Sequence, residues 1–307
     1  MLIFYEDQYS RFCYVVMKKD IAACEKFQNV LEEKKYYDLE TPYGYGGPLN
    51  DEEICVESQI AFGKEMQEFC IKNNIVSQFV RFHPLLENDK SLSQVIETRY
   101  LRETIFMDTT SPAIIMEKMD SKNRNMVRKA AKNGVIILRE SIDNYADFIP
   151  MYVETMAKNG ADEYYTFNKD YFESLKLLKD NACIFYAIVD EMPVSGAIMY
   201  YNENYMHYHL SGTYSEYRKY SPGNLLLYEA ACWASERGIK KFHLGGGVAA
   251  DDSLFGFKKQ FNKNERAKFV VGRTIFDREK YNELLEIRQK LNLEFDVNNG
   301  FMIQYRR

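Results

Sequence analysis

Paired cysteines, long apolar runs, tryptophan and an excess of positive charge are what this sequence lacks. The six cysteines (Cys13, Cys24, Cys55, Cys70, Cys183, Cys232) are scattered and form no C-x-x-C pair, which argues against a zinc ribbon or a disulfide framework and fits reduced thiols in the cytoplasm. No apolar run approaches the ~20 residues needed to span a bilayer. The opening stretch MLIFYEDQYSRF carries charge too early for a secretory h-region, so the expected location is cytoplasmic. Formal net charge is −5, which gives no whole-molecule attraction to nucleic acid or membrane; any polyanion contact must come from a local patch. Neither G-x-x-x-x-G-K-[ST] nor G-x-G-x-x-G occurs in HLGGGVAADDSLFGFKKQF (His243 to Phe261), so its glycines are not read as a nucleotide loop. Aromatics other than the single Trp are plentiful, with 24 Tyr and 20 Phe. Tyrosine suits polar clefts, although an AT-rich codon bias would produce the same excess.

The length of 307 residues allows one large or two ordinary domains. The first half reads as mixed α and β: helices over Ile21 to Lys35 and Glu53 to Asn74, and strands over Val76 to Phe82, Thr98 to Met107 and Ala113 to Glu117. Between the two helices lies YYDLETPYGYGGPLND, a loop whose tyrosines and glycines (Tyr43, Tyr45, Gly46, Gly47) suit a ligand site. A helix opening near Ser121 and ending at Gly134 feeds a strand over Val135 to Leu138. Arg124, Arg128 and Lys132 share one face of it, beside Lys129. Such a stripe is usually a solvated face, but here it is the natural place for phosphate. The second half repeats the order. Helices Asn144 to Asn159 and Phe172 to Lys179 precede a hairpin of Cys183 to Val189 and Val194 to Tyr200, then a strand Tyr205 to Ser211. The shared order suggests tandem copies of one α/β module.

The sharpest local signal is YSPGNLLLYEAACWASERGIKKFHLGGG, Tyr220 to Gly247. Ser221 reads as an N-cap, Pro222 fits the first turn, and Gly238 closes the helix. The free N–H groups at such a helix start form a ready anion site, here lined by Ser221, Gly223 and Asn224. A strand from Lys241 to Leu244 then runs into Gly245, Gly246 and Gly247, where a substrate can pass close to the backbone. On a helix begun by Ser253, Leu254, Phe257 and Phe261 share the apolar face, with Lys258 at its edge and Lys259 pointing away. Taken alone, Lys258 would be a snorkelling surface lysine.

These stretches, SGTYSEYRKYSPGNLLLYEAACWASERGIKKFHLGGG and LFGFKKQF, resemble the second domain of the FemABX peptidyltransferases and their wider group of tandem-GNAT acyltransferases. NRNMVRKAAKNGVII is similar to a helix and strand near the end of their first domain, and YGYGGPL lies where they carry an Arg-Gly-Pro loop. The resemblance implies two tandem GNAT-like α/β domains, residues 1–140 and 141–272, with a cleft between them. It also implies that the terminal segment 273–307, with a helix over Asp277 to Asn292, packs back on the first domain. It further implies that Phe257 and Lys258 belong to the catalytic site, and that Tyr208 and, more loosely, Tyr171 contact substrate. Three departures stand out. Gly46 replaces the arginine of Arg-Gly-Pro, Phe167 stands where an arginine is expected before Tyr171, and Arg81-Phe82-His83-Pro84 replaces a Lys-x-Asp-Pro element. Several of these positions face the nucleotide-linked muramyl precursor in the FemX-type enzymes, so that acceptor is in question. The coiled-coil arm of FemA-like members is absent.

The expected function is transfer of an aminoacyl or acyl group to an amine of a cell-envelope (peptidoglycan) precursor or glycan, by direct attack. The substrate contacts are Tyr208, Tyr171, Tyr43, Tyr45, Gly46, Gly47, Arg124 and Arg128; the donor contacts are Ser221, Gly223, Asn224, Gly245 and Gly246. Charged tRNA or acyl-CoA serves as co-substrate, with no tightly bound cofactor, no metal and no DNA partner. A fixed cation near the developing oxyanion lowers the barrier to such a reaction, which gives Lys258 a chemical purpose. His207 and His209 share a strand face but have no third ligand at usable spacing, so a packed or hydrogen-bonded pair is favoured over metal. Asp251 and Asp252 offer a base or a cap for the Ser253 helix, and the cap is favoured; Cys232, mid-helix, is a poor nucleophile. One alternative is an acyl-CoA-dependent N-acyltransferase acting on an amino sugar or glycan. A second is a non-catalytic GNAT module that binds RNA or a partner through the Arg124–Arg128–Lys132 face.

Overall fold

The computed structural model describes residues 1–160, 167–247, 249 and 252–307. Packing divides them into two units, Met1–Arg102 with Lys268–Arg307, and Glu103–Ala267. In chain order the first unit holds β1 (Leu2–Glu6), β2 (Arg11–Val15), β3 (Met17–Asp20), β4 (Tyr37–Glu40), β5 (Leu49–Asn50), α1 (Val56–Lys72) and β6 (Ile75–Arg81). β7 (Glu97–Asp108) carries the chain into the second unit, which holds α2 (Pro112–Lys118), α3 (Ser121–Lys132), β8 (Ile136–Ser141), α4 (Phe148–Lys158), α5 (Lys169–Leu175), β9 (Ala182–Val189) and β10 (Met192–Tyr201). It continues through β11 (Tyr205–Thr213), α6 (Pro222–Glu236), β12 (Lys241–Gly245) and α7 (Ser253–Lys259). β13 (Ala267–Ile275) returns the chain to the first unit, where α8 (Arg278–Leu291) ends it.

In the first unit, β4 and β6 are parallel neighbours joined by α1, and α1 and α8 both pack on β6. Alternation in β1 and β2 buries Ile3, Tyr5, Phe12 and Tyr14 against Phe62 of α1. The terminal segment is held by charge: Arg306 pairs with Asp38 and Glu40, while the Tyr305 hydroxyl donates to Asp38 at 2.6 Å.

The second unit is a sheet in the order β7-β12-β11-β10-β9-β8, antiparallel except where β11 meets β12. Its core gathers Phe185, Met199, Met206, Leu226, Ala230, Phe242 and Phe261 between sheet and helices. Helix α3 and strand β8 belong here by contact, since β8 pairs with β9 along its length and α3 packs on α6. The packing boundary therefore falls at 102/103 and not at the module boundary expected near residue 140.

Two local expectations are corrected. Ile21 to Lys35 is no long helix: it is a chain of turns with one short 3-10 turn, Glu25–Phe27. The Asp20 carboxylate accepts from the N–H groups of Ala22 and Lys34, closing the segment as a loop that competes with helix. Ala113 to Glu117 is not a strand but part of α2, because Ser111 caps it through the Ile114 N–H and Pro112 occupies the first turn.

Candidate active site

The site begins with a fault in β11. Against β10, Ile198 faces Leu210 and Met199 faces Tyr208, so His209 is an extra residue and the strand bulges. β11 pairs with β12 only over Tyr205–His207 and Lys241–His243, then continues to Thr213 outside that pairing. Parallel strands joined by a crossover helix place the helix start at their carboxyl ends, where ligands bind in open α/β sheets. A cavity of about 560 Å³ opens there. Its walls come from β10 (Ser195 to Ala197), β11 (Tyr208 and Ser211 to Thr213), Thr155 of α4 and its C-cap Asn159, the start of α6 (Ser221 to Asn224), α7 and Arg218.

Gly212 lets β11 lie directly on α4. A Cβ there would meet the Met151 and Tyr152 backbone at about 2.5 Å. The start of α6 is not capped as the sequence suggests. Ser221 has a left-handed φ of 56° and makes no side-chain cap; its hydroxyl donates to Met126 Sδ at 3.4 Å. The positive end of the helix is therefore open toward the cavity wall formed by Gly223 and Asn224. The Asn224 amide donates to Asn123 Oδ1 at 2.7 Å, which ties α6 to α3.

Lys258 is buried, not at a surface edge, with 8% of its surface exposed. Phe255, not Leu254, joins it on the inward face of α7. Its ammonium donates to the Gly246 carbonyl at 2.8 Å and lies 5.6 Å from the centre of the Tyr208 ring. Burial pushes the ammonium down to about 8, with Asp252 pulling the other way. Burial also raises the Tyr208 phenol to about 12, so it stays protonated at neutral pH. Phe257 lines the cavity and meets Phe261 edge to face.

Tyr208, Ser221, Gly223, Asn224 and Phe257 thus line one cavity, with Lys258 and Gly246 joined beside it through Tyr208. Gly245 ends β12 at a φ of 79° without lining the cavity. Tyr171 stacks on Phe167 at 4.1 Å, and its hydroxyl meets His209 Nε2 and Tyr200. Burial pushes His209 down to about 3, so the imidazole is neutral. The Arg124 guanidinium donates to the Met116 and Met119 carbonyls, while Arg128 is exposed.

Tyr43, Tyr45, Gly46 and Gly47 lie in the first unit. There Tyr45 packs edge to face on His83 and Phe269, the Gly46 N–H donates to the Arg81 carbonyl, and the Asn88 amide holds the Gly46 and Pro48 carbonyls. His207 packs against His209, with ring centres 6.2 Å apart, and also pairs with the buried His243 (Nδ1 to Nδ1 3.2 Å), whose Nε2 meets Thr104. Among the described residues no three His, Cys, Asp or Glu side chains group to hold a metal. Asp252 caps α7 through the Phe255 N–H; Asp251 lies outside the described residues. Burial raises the Cys232 thiol, which makes it a weak nucleophile. Arg218, Thr155 and Thr213 were not anticipated. Arg218, three residues before Ser221, was the one that its charge ahead of a helix start could have revealed.

Residues 118–259 match the family model described as an acetyltransferase (GNAT) domain. In structure the chain is similar to FemX, with a TM-score of 0.66 at 14% identity over 91% of this chain and 90% of that one. It is also similar to L-PGS from Bacillus licheniformis (TM-score 0.55, 14% identity, 94% and 89% covered). A third likeness is to the C-terminal domain of a lysylphosphatidylglycerol synthetase candidate from Agrobacterium fabrum (0.55, 14%, 89% and 83%). At these identities the structures speak for the fold. No curated protein matches the chain in sequence. The cavity-bearing unit thus matches a GNAT acetyltransferase domain, and most of the chain has a fold similar to that of FemX.

Proposed function

We propose that the protein transfers an acyl or aminoacyl group to an amine of a cell-envelope precursor, with the donor held in the cavity between β11 and α6. The observation that carries this reading is the buried Lys258 ammonium beside that cavity, held on the Gly246 carbonyl, because burying a charge is costly and calls for a purpose. The acceptor amine attacks the donor carbonyl directly. The carbonyl oxygen becomes an oxyanion that the Lys258 ammonium stabilises, and collapse breaks the bond to the donor's sulfur or oxygen, which leaves as thiol or alcohol with the proton that the amine gives up. Phe257 and Tyr208 wall the acyl group from water. The acceptor class rests on the FemABX resemblance, as does a role for Tyr171 and the Tyr43–Gly47 loop in holding it. Among the described residues no helix is long and apolar enough to cross a membrane.

A second reading, acyl-CoA as donor and an amino sugar as acceptor, is favoured by Arg218 and the uncapped start of α6. Together they suit a phosphate-bearing, narrow donor. One experiment decides between the donors. The purified chain is given acetyl-CoA or charged tRNA with a muramyl-peptide or amino-sugar acceptor, and amide formation is followed by mass spectrometry. Product from charged tRNA alone removes the second reading. Equal turnover by Lys258→Ala removes the assigned lysine.

A further inference from the structure

Asp252 joins the two pieces of backbone on which Lys258 depends. One carboxylate oxygen accepts from the Phe255 N–H at 2.7 Å and starts α7; the other accepts from the Ala249 N–H at 2.9 Å in the glycine-rich turn. Gly247 makes room for it, since a Cβ there would lie 2.1 Å from Asp252 Oδ1. At the far side of the same ring of contacts, Lys258 Nζ donates to the carbonyl of Gly246, the residue before Gly247. Turn, cap, helix and ammonium thus form a closed circuit, and Asp252 also lines the cavity.

We propose that Asp252 is a positioning residue for the transfer: its carboxylate fixes the turn and the helix between which Lys258 Nζ is held, and it sets the charge that this ammonium feels. The proposal rests on the reading of Lys258 as the fixed cation. The groups that face Lys258 among the described residues are Asp252 from the turn, the Tyr208 ring from β11 and the Gly246 carbonyl. Lys259 is exposed on the other side of α7. Burial pushes the ammonium down and Asp252 opposes it, so removing the carboxylate's charge should make Lys258 lose its proton at lower pH.

The test is an NMR titration of the full chain labelled in its lysine side chains, with the Lys258 signal assigned by its loss in Lys258→Arg. Asp252→Asn keeps a good cap without the charge, and Asp252→Ser is a second uncharged cap should the first not fold. Either variant should lower the Lys258 midpoint by roughly half to one pH unit. It should also move the alkaline limb of turnover to lower pH by the same amount, with the donor that proves active. Asp252→Glu, which keeps the charge, should leave the midpoint near that of the parent. An unchanged midpoint in both uncharged variants overturns the proposal. A shifted midpoint with an unmoved alkaline limb instead overturns the catalytic reading of Lys258, and the positioning role with it.

Discussion

The chain uses the strand–helix–strand crossover twice, as β4–α1–β6 in the first unit and β11–α6–β12 in the second, and the cavity described above lies at the second. In the first, the parallel strands stay zipped beyond β4, with Thr41 N–H donating to Phe79 and Gly46 N–H to Arg81. The start of α1 is closed by the protein's own groups. Cys55 Sγ accepts from the Ser58 N–H, and the Ser58 hydroxyl donates to Asp7 at 2.6 Å. That bond, with the Tyr9 and Ser10 N–H groups, holds the Asp7 carboxyl below its usual range. In the second crossover the strands part after His207, and no side chain caps the helix. One topology therefore leaves a helix start open, as the proposed anion site needs, or seals it as a strut, depending on whether the strand ends separate and whether the helix start already faces a carboxylate.

The largest effect should come from Lys258→Met. Loss of one oxyanion-stabilising donor should lower turnover on the order of 10²- to 10³-fold. The same change should stabilise the fold near neutral pH, because the buried ammonium is disfavoured relative to the unfolded chain. Its folded value, about 8, lies below the ordinary lysine value of 10.5. The penalty is therefore full below pH 8, up to roughly 3 kcal/mol, and fades as pH rises toward the ordinary lysine value. Melting curves at pH 7 and pH 10 check this; a variant equally destabilised at both would contradict the burial argument.

The next test gives the second crossover what the first already has. Ser221→Asp places a carboxylate at a left-handed position that Asp tolerates, at the mouth of the anion site. The donor KM should rise roughly 10-fold or more through like-charge repulsion, while thermal stability is held or improved by the helix dipole. The reciprocal change, Asp7→Asn, should lower the melting temperature by about 2–4 °C and leave the donor KM untouched. Equal effects of both on donor binding would dissolve the contrast.

Much of the second crossover was legible because its signals are local. Pro222 and Gly238 bracket α6, and the neighbouring hairpin of β9 and β10 shows as two largely apolar runs around Asp190-Glu191. What escaped was set by distant contacts. Ser221 gave up its expected cap because α3 brings Met126 to its hydroxyl, and Arg124 turns back to carbonyls of its own neighbourhood instead of joining a basic stripe. Lys258 looked peripheral on a helical wheel that set Leu254 inward, whereas the Asp252 cap starts α7 with Phe255 and Lys258 facing the core. The Ile21–Lys35 segment had helical spacing but no partner face. Asp20 and the positive φ at Asn29 and Lys34 decided it as turns. The bulge at His209 has no residue signature at all, since it is a matter of register between two strands.

The strut character of the first crossover can be probed by acid. Burial would raise the Glu40 carboxyl, but Arg81, Arg306 and Lys19 together hold it down to about 2. A carboxyl depressed in the fold contributes stability above its unfolded value, and that contribution is lost as pH falls from about 4.5 toward 2. Arg306→Gln should cost about 1–3 kcal/mol at pH 7, because it leaves Asp38 and Glu40 short of a buried partner. It should also move the acid unfolding midpoint upward, while the donor KM stays at the parent value.

The smallest effect is expected at the exposed end of the second crossover. Arg218 lines the cavity but is exposed to solvent, so its attraction to a donor phosphate is screened and worth about 1 kcal/mol. Arg218→Gln should raise the donor KM roughly 3- to 6-fold at low salt, with kcat nearly unchanged. The difference from the parent should shrink toward nothing near 0.5 M salt, because the Debye length there is only a few ångströms. A salt-independent loss, or a fall in kcat without a change in KM, would show that Arg218 shapes the cavity wall and does not attract the donor. The anion site of α6 would then rest on the helix start alone.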